Sequence, residues 1–351
     1  MARTNSGRRP TVKDVAASAG VSATTVSRVL GGSYPVSAST RNRVLRAVRD
    51  LDYVINAQAR ALVGGSTRTV AFIVRDLVGP LFAYIGQGVE LQATAEGRVC
   101  LVCTHHGDPD RELELIELMR QQGAEAVVLV GGGLRTETHV RRMAEIAHSL
   151  DRAGSRLVLC GRPPIGADVP ATVVEYDNEG GAFAVTDYLI SLGHERIAFV
   201  GAGEPEHTTT GARLNGFLDA HATRGLEVDQ ELVVSGNYDR ESGYRQTKML
   251  LDRGAGMTAV VAVTDVVASG VLAALRDAGV RVPEDVSVVG YDDIPLSADL
   301  NPALTTVHLP YEELGRAAVR LALHRDEYAL DQHLKLGTHV VIRSSTAKRE
   351  S

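Results

Sequence analysis

The stretch from Thr11 to Leu30, TVKDVAASAGVSATTVSRVL, constrains this chain most, because two short helical patterns meet there across a tight turn. Val12, Val15, Ala16 and Ala19 fall at i, i+3, i+4 and i+7, the apolar stripe of an amphipathic helix. Thr11 is placed to start that helix, its hydroxyl offered to an early orphan amide while Asp14 reaches back from the first turn. Gly20 ends it, as a residue that tolerates positive φ. Ser22 then caps a second helix that turns Val26, Val29 and Leu30 inward and Ala23, Thr24, Ser27 and Arg28 outward. Two helices about a glycine-containing turn, the second with a small, polar and basic outer face, predict a helix-turn-helix with an exposed reading helix.

Charge supports that reading. The net −6 of the 351 residues is unevenly spread: residues 1–68 hold 11 Lys and Arg against 3 Asp and Glu, net +8. Of the chain's 37 and 43, that leaves 26 and 40, net −14, for the remainder. A basic module on an acidic body suits phosphate neutralisation by the module alone. Residues 1–10, with Arg3, Arg8 and Arg9, are expected to be a flexible basic arm. Ser37 starts a third helix whose Val44, Leu45, Val48 and Leu51 close a small core, so the headpiece is expected over residues 11–54.

Residues 55–68 read as a hinge. Asn56 to Leu62, NAQARAL, are good helix formers, but seven residues fall short of the ~12 to 15 an isolated helix needs, and Gly64 and Gly65 follow. From Thr69 the pattern becomes α/β. The apolar runs TVAFIV, VCLVC, AVVLV and RLVLC alternate with helical stretches, and RIAFV, LVVSG, AVVAV and VSVVG repeat the plan. Continuous apolar strands joined by helices predict doubly wound parallel sheets, and two sets predict two lobes with a cleft between them at the strand ends. The core is expected over 69–346, with a first lobe of about 69–171 and 302–333 and a second of about 172–301 and 334–346.

The strings DVAxxAGVSxxTVSRVL, VSxxTRxRV and LxY in the headpiece, with DNEGGAFAVTDYLISLGHERIAFV, GARLNGF, RESGY, TDVVASG, RVPEDVSVVGYDD and PALTTV in the body, resemble the lactose repressor (LacI/GalR) family over nearly the whole chain. The resemblance implies a small all-α helix-turn-helix headpiece on a type I periplasmic-binding-protein-like core. It implies a homodimeric transcriptional regulator, with repression expected, bound to a palindromic double-stranded DNA operator and controlled by a small molecule, a sugar or related metabolite, between the lobes. Ala23, Thr24 and Arg28 are then expected at base edges, and Thr11, Ser22, Thr25, Ser27, Tyr53 and Asn56 at phosphates. Leu62 matches the family's minor-groove wedge at the end of a hinge helix that folds on DNA. Arg213 and Asp292 match the family's principal polar effector contacts, and Tyr238 and Phe82 its aromatic ones. Asp177 and Asp265 are weighed as effector ligands against simple helix capping. Arg75, Asp76, Leu81 and Thr264 depart from the family's pattern and leave the effector's identity open.

Competing chemistry finds little support. A dinucleotide enzyme wants GxGxxG after an early strand, and Gly201, Ala202 and Gly203 give only GAG. There is no phosphate-binding GxxxxGK[ST] loop and no GxSxG elbow. Cys100, Cys103, His105 and His106 cluster, but the CxxC falls inside an apolar strand expected to be buried and no second pair follows at zinc spacing. Neither metal nor cofactor is expected. A stand-alone sugar-binding protein of the transport type would carry an export signal and no headpiece, the reverse of this chain. Three cysteines, no apolar run of membrane-spanning length and an Arg-rich start place the expectation in the cytoplasm, at the bacterial nucleoid, with no membrane partner.

Overall fold

The computed structural model describes residues 10–31, 36–53, 68–203, 207–325, 327–328 and 332–349. The headpiece holds α1 (Val12–Ala19), α2 (Ala23–Gly31) and α3 (Ala38–Asp50). Asp14 accepts from the Thr11 backbone N–H and from its hydroxyl, both at 2.7 Å, and Gly20 takes φ 63° at the end of α1. The Ser22 hydroxyl accepts from the Thr25 N–H at 3.1 Å, and Ser37 caps α3 through the Thr40 N–H. Val15, Ala19, Val26, Val29, Val44 and Ala47 close the core these caps orient.

The body opens with a six-stranded parallel sheet. Its strands are β1 (Thr69–Val74), β2 (Val99–Thr104), β3 (Ala126–Val130), β4 (Arg156–Cys160), β5 (Ala171–Tyr176) and β11 (His333–Leu336), in the order β11-β5-β4-β3-β1-β2. Between them run α4 (Pro80–Ala95), α5 (Pro109–Gln121) and α6 (Glu137–Arg152). A four-stranded parallel sheet, β7-β6-β8-β9, follows: β6 (Ile197–Ala202), β7 (Val233–Ser235), β8 (Ala259–Ala262) and β9 (Ser287–Val289). Its helices are α7 (Asn178–Ser191), α8 (Thr208–Thr223), α9 (Arg240–Asp252) and α10 (Asp265–Asp277), then a short α11 (Leu296–Asp299). The chain continues through β10 (Thr306–His308) and α12 (Tyr311–Leu323) and ends with β12 (His339–Val341), antiparallel to β10. α12 packs on α4 and on β3, β4 and β5 of the first sheet. It meets α4 at Gly88 and Gly315, where an added Cβ would lie 2.2 Å and 2.3 Å from main-chain oxygens of the facing helix.

Lobe boundaries differ from expectation. β5 and β11 pair with each other in the first sheet, so residues 172–176 and 334–336 belong to the first lobe. Thr305 bridges Val289, and His308 bridges Asp292, which ties 305–308 to the second lobe. The chain therefore crosses between lobes after Tyr176, after His308 and after Leu336. Sequence periodicity cannot place such crossings, because which sheet a strand joins is a tertiary choice. The strand VCLVC also departs from expectation. It is the edge β2, with Val99, Leu101 and Val102 exposed and both cysteines only half-buried.

Candidate DNA-reading head and effector cleft

On the headpiece, Ala23, Thr24 and Arg28 are exposed on α2, opposite the buried Val26 and Val29. Thr25 and Ser27 are half-exposed beside them, Thr11 half-exposed and Ser22 exposed at the helix starts. Tyr53, expected at a phosphate, is 9% exposed and belongs to the headpiece core cluster with Val15 and Val44. Asn56 and Leu62 lie outside the described residues.

The cleft is lined from both lobes by loops at the carboxyl ends of the strands, where a parallel sheet directs its functional side chains. Arg213, on α8, is 2% exposed. Its Nε donates to Asn178 Oδ1 at 2.9 Å, one Nη to the Val263 carbonyl and the other to Asp292 Oδ1 at 3.2 Å, with the Tyr291 ring centroid 3.7 Å from the guanidinium carbon. An isolated buried charge is costly, and this one is enclosed by acceptors, a countercharge and a π face. Asp292 sits at φ 112°, which the loop holds by the bridge to His308. Burial lifts the Asp292 carboxyl to about 6, an effect that Arg213 offsets only in part.

Tyr238 hydrogen-bonds the Thr210 hydroxyl in the second lobe, and its ring lies 5.4 Å from the guanidinium carbon of Arg75, which projects from the end of β1 in the first. Phe82, in the first turn of α4, packs on Gly131, where an added Cβ would come within 3.0 Å of the ring. Thr209 Oγ1 and Tyr311 Oη are buried with no hydrogen-bond partner among the described residues. The lobes touch directly. The Gly133 N–H donates to Thr208 Oγ1 and the Thr208 N–H to the Gly133 carbonyl, each at 3.0 Å, and Leu134 bridges His207.

Two expected effector ligands are occupied otherwise. Asp265 is 1% exposed, accepting from the Thr306 hydroxyl at 2.5 Å and from the Ile294 N–H at 2.9 Å, so it braces the loop that carries Asp292. Burial, and then Asp292, push its pKa well up. The cap of α10 is Thr264, which accepts from the Val267 N–H. Asp177 caps α7 through the Gly180 N–H and meets Lys335 at 2.9 Å. Asn178 and Tyr291, each one position from a residue singled out by motif, hold the Arg213 guanidinium. Cys100 is pushed up to about 11 by burial, and among the described residues no group of three His, Cys, Asp or Glu side chains is arranged to hold a metal ion. Nor, among them, is any helix long and apolar enough to cross a membrane.

A basic reading head on a two-lobed cleft with a buried Arg–Asp pair defines a ligand-responsive DNA-binding regulator. Family models place this chain more narrowly: residues 11–56 match the bacterial regulatory proteins of the lacI family and residues 186–346 the periplasmic binding protein-like domain. The HTH-type transcriptional regulator CelR of Thermobifida fusca is 37% identical over 345 residues, covering 96% of this chain and 98% of that one. The HTH-type transcriptional repressor PurR of Aliivibrio fischeri (strain MJ11) is 31% identical over 346 residues, covering 97% and 99%. Among solved structures, the CelR–cellobiose complex matches at 34% identity and a TM-score of 0.68, over 96% of this chain and all of that one. The lac repressor dimer bound to operator and the anti-inducer ONPF matches at 25% identity and a TM-score of 0.79, over 97% and 100%. The chain belongs to the LacI family of DNA-binding transcriptional regulators, and the proteins it matches are regulators, not enzymes.

Proposed function

We propose that this regulator is a repressor that sits as a homodimer on a roughly palindromic operator in the cytoplasm, one headpiece per half-site, and that a sugar closed between the lobes sets its hold on DNA. The observation that carries the effector reading is the Arg213–Asp292 pair in a cleft flanked by Tyr238 and Phe82. A fork of donors, a carboxylate acceptor and aromatic faces suit hydroxyls and the C–H side of a sugar ring. Thr209 and Tyr311 add unfilled hydroxyls. The CelR–cellobiose complex makes cellobiose the first sugar to try.

On DNA, the reading assigns Arg28, Thr24 and Ala23 to base edges and Thr11, Ser22, Thr25 and Ser27 to phosphates. It keeps Asn56 as a phosphate contact, and Leu62 as a wedge at the end of a hinge that is too short to stay helical alone. The exposed apolar edge of β2 supports a second copy as the occupant of that face, since a long apolar edge left in water invites pairing. The experiment is a titration of cellobiose and related sugars against the protein bound to its own upstream DNA. A saturable change in operator affinity is expected, its direction distinguishing inducer from corepressor. Operator affinity indifferent to every sugar contradicts the effector class.

A further inference from the structure

We propose that a cavity beside the inter-lobe contact, lined by none of Arg213, Asp292, Tyr238 and Phe82, is a second ligand site, for a compact carboxylate with an apolar body. The cavity holds about 270 Å³ between the start of α6, the loop after β4 and Thr208 of the second lobe. Its polar wall is built on Arg162, 4% exposed. The Arg162 Nε donates to the Gly131 carbonyl at 2.8 Å, and its two terminal nitrogens each give one bond to Glu112, at 3.1 Å and 3.0 Å. A guanidinium has five N–H donors, so two remain with no acceptor among the described residues. Glu112, with His105 and His139 each 3.6 Å from one of its oxygens, cancels the Arg162 charge without filling those donors.

Beside Arg162, the second lobe offers a further donor. Thr208 Oγ1 accepts from the Gly133 N–H and keeps its own proton. Arg135 adds a cation at the rim, and α6 begins there after Thr136, whose side chain makes no cap bond. The opposite wall is apolar, from Met143, Leu159 and Ile165, and the one aromatic ring of the lining is the His139 imidazole, with Nε2 3.6 Å from Glu112. Donors on one side and aliphatic surface on the other fit a carboxylate group joined to a hydrocarbon body. A sugar ring finds broad aromatic faces at Tyr238 and Phe82 in the effector cleft, whereas no Phe, Tyr or Trp lines this cavity. Because Thr208 belongs to the second lobe, an occupant touches both lobes and favours the arrangement in which they meet.

The test is titration of 4-fluorobenzoate into the full chain, followed by fluorine NMR, with 4-fluorobenzyl alcohol as the uncharged comparator. Saturable binding of the acid is expected, with the alcohol weaker by about tenfold or more. Ile165→Trp and Val140→Phe, each filling the apolar side, should weaken the acid by about the same factor, with melting temperatures on the same samples showing that each variant is folded. Absence of saturable binding, equal binding of the alcohol, or wild-type binding by both folded variants overturns the proposal.

Discussion

Thr208 and Gly133 join the two lobes by a pair of reciprocal hydrogen bonds, each 3.0 Å long, on strand-end loops facing each other across the cleft. The Thr208 hydroxyl accepts the Gly133 N–H, and a half-buried main-chain donor stripped of its acceptor costs about 1–2 kcal/mol. Thr208→Val keeps the shape and removes that acceptor. The closed arrangement should lose roughly that much relative to an open one, so small-angle scattering should show a larger radius of gyration and effector affinity should fall about tenfold. Scattering and affinity both unchanged would show that this contact does not hold the lobes together.

Asp292 ties the cleft to pH. Its carboxyl is raised to about 6 in the folded chain against an ordinary 3.8, so between those values the folded form holds the proton more tightly than the unfolded one. For this group the sign is opposite to that of a salt-bridged surface carboxylate: its contribution to stability declines as pH rises from about 4 to 6. Effector binding should run the other way, because an ionised Asp292 accepts from ligand hydroxyls through both oxygens. Affinity for the effector is therefore expected to rise between pH 5 and 7, as measured by calorimetry, and to become nearly flat in Asp292→Asn. The same pH rise in the Asn variant would assign the titration to another group.

How much of this was legible in the sequence depends on whether the signal was local. Thr11, Gly20 and Ser22 announced the headpiece because caps and apolar spacing are properties of a few consecutive residues. The strands read as apolar runs for the same reason, except ATVVEY and HLKL, whose polar residues obscure them, and the three-residue β10 and β12. Arg213 and Asp292 were found by motif, yet motif could not say where a neighbouring carboxylate points. Asp265 faces Thr306 and Ile294 inside the lobe, and Asn178, not Asp177, meets Arg213. The Glu112–Arg162–His139 cluster left no trace at all, because its members come from α5, α6 and the loop after β4. The exposure of β2 was equally hidden, since VCLVC reads the same whether a strand is central or at an edge.

Glu112 provides a test of stability independent of DNA and ligand. Glu112 is 3% exposed, and although burial opposes its charge, Arg162 and His139 hold its pKa well below the usual range. A depressed folded pKa adds stability above the unfolded value near 4.5, and that stability drains away as pH falls through the carboxylate range. Glu112→Ala leaves Arg162 buried without its counterion, which typically costs about 3–5 kcal/mol. A marked drop in melting temperature at pH 7 is expected, shrinking only once the pH falls below the unfolded value, towards about 3. An equal drop at pH 7 and at about pH 3 would mean that lost packing, and not lost charge, accounts for the effect.

Arg28 separates reading from mere attraction. It stands exposed on α2 with Thr24 and Ala23, while Val26 and Val29 anchor the opposite side of the helix in the headpiece core. A guanidinium on a recognition helix can fork to the O6 and N7 of guanine, and such a contact discriminates against the wrong base by about 1–3 kcal/mol. A phosphate contact weakens all sequences alike and lowers the salt dependence by about one ion. Arg28→Ala should therefore cost affinity for the operator while relaxing preference at a single base pair in each half-site, both read from binding to a randomised operator library. Should the variant instead lose the same factor on every sequence in the library, Arg28 belongs with the phosphate contacts and the base reading rests on Thr24 and Ala23.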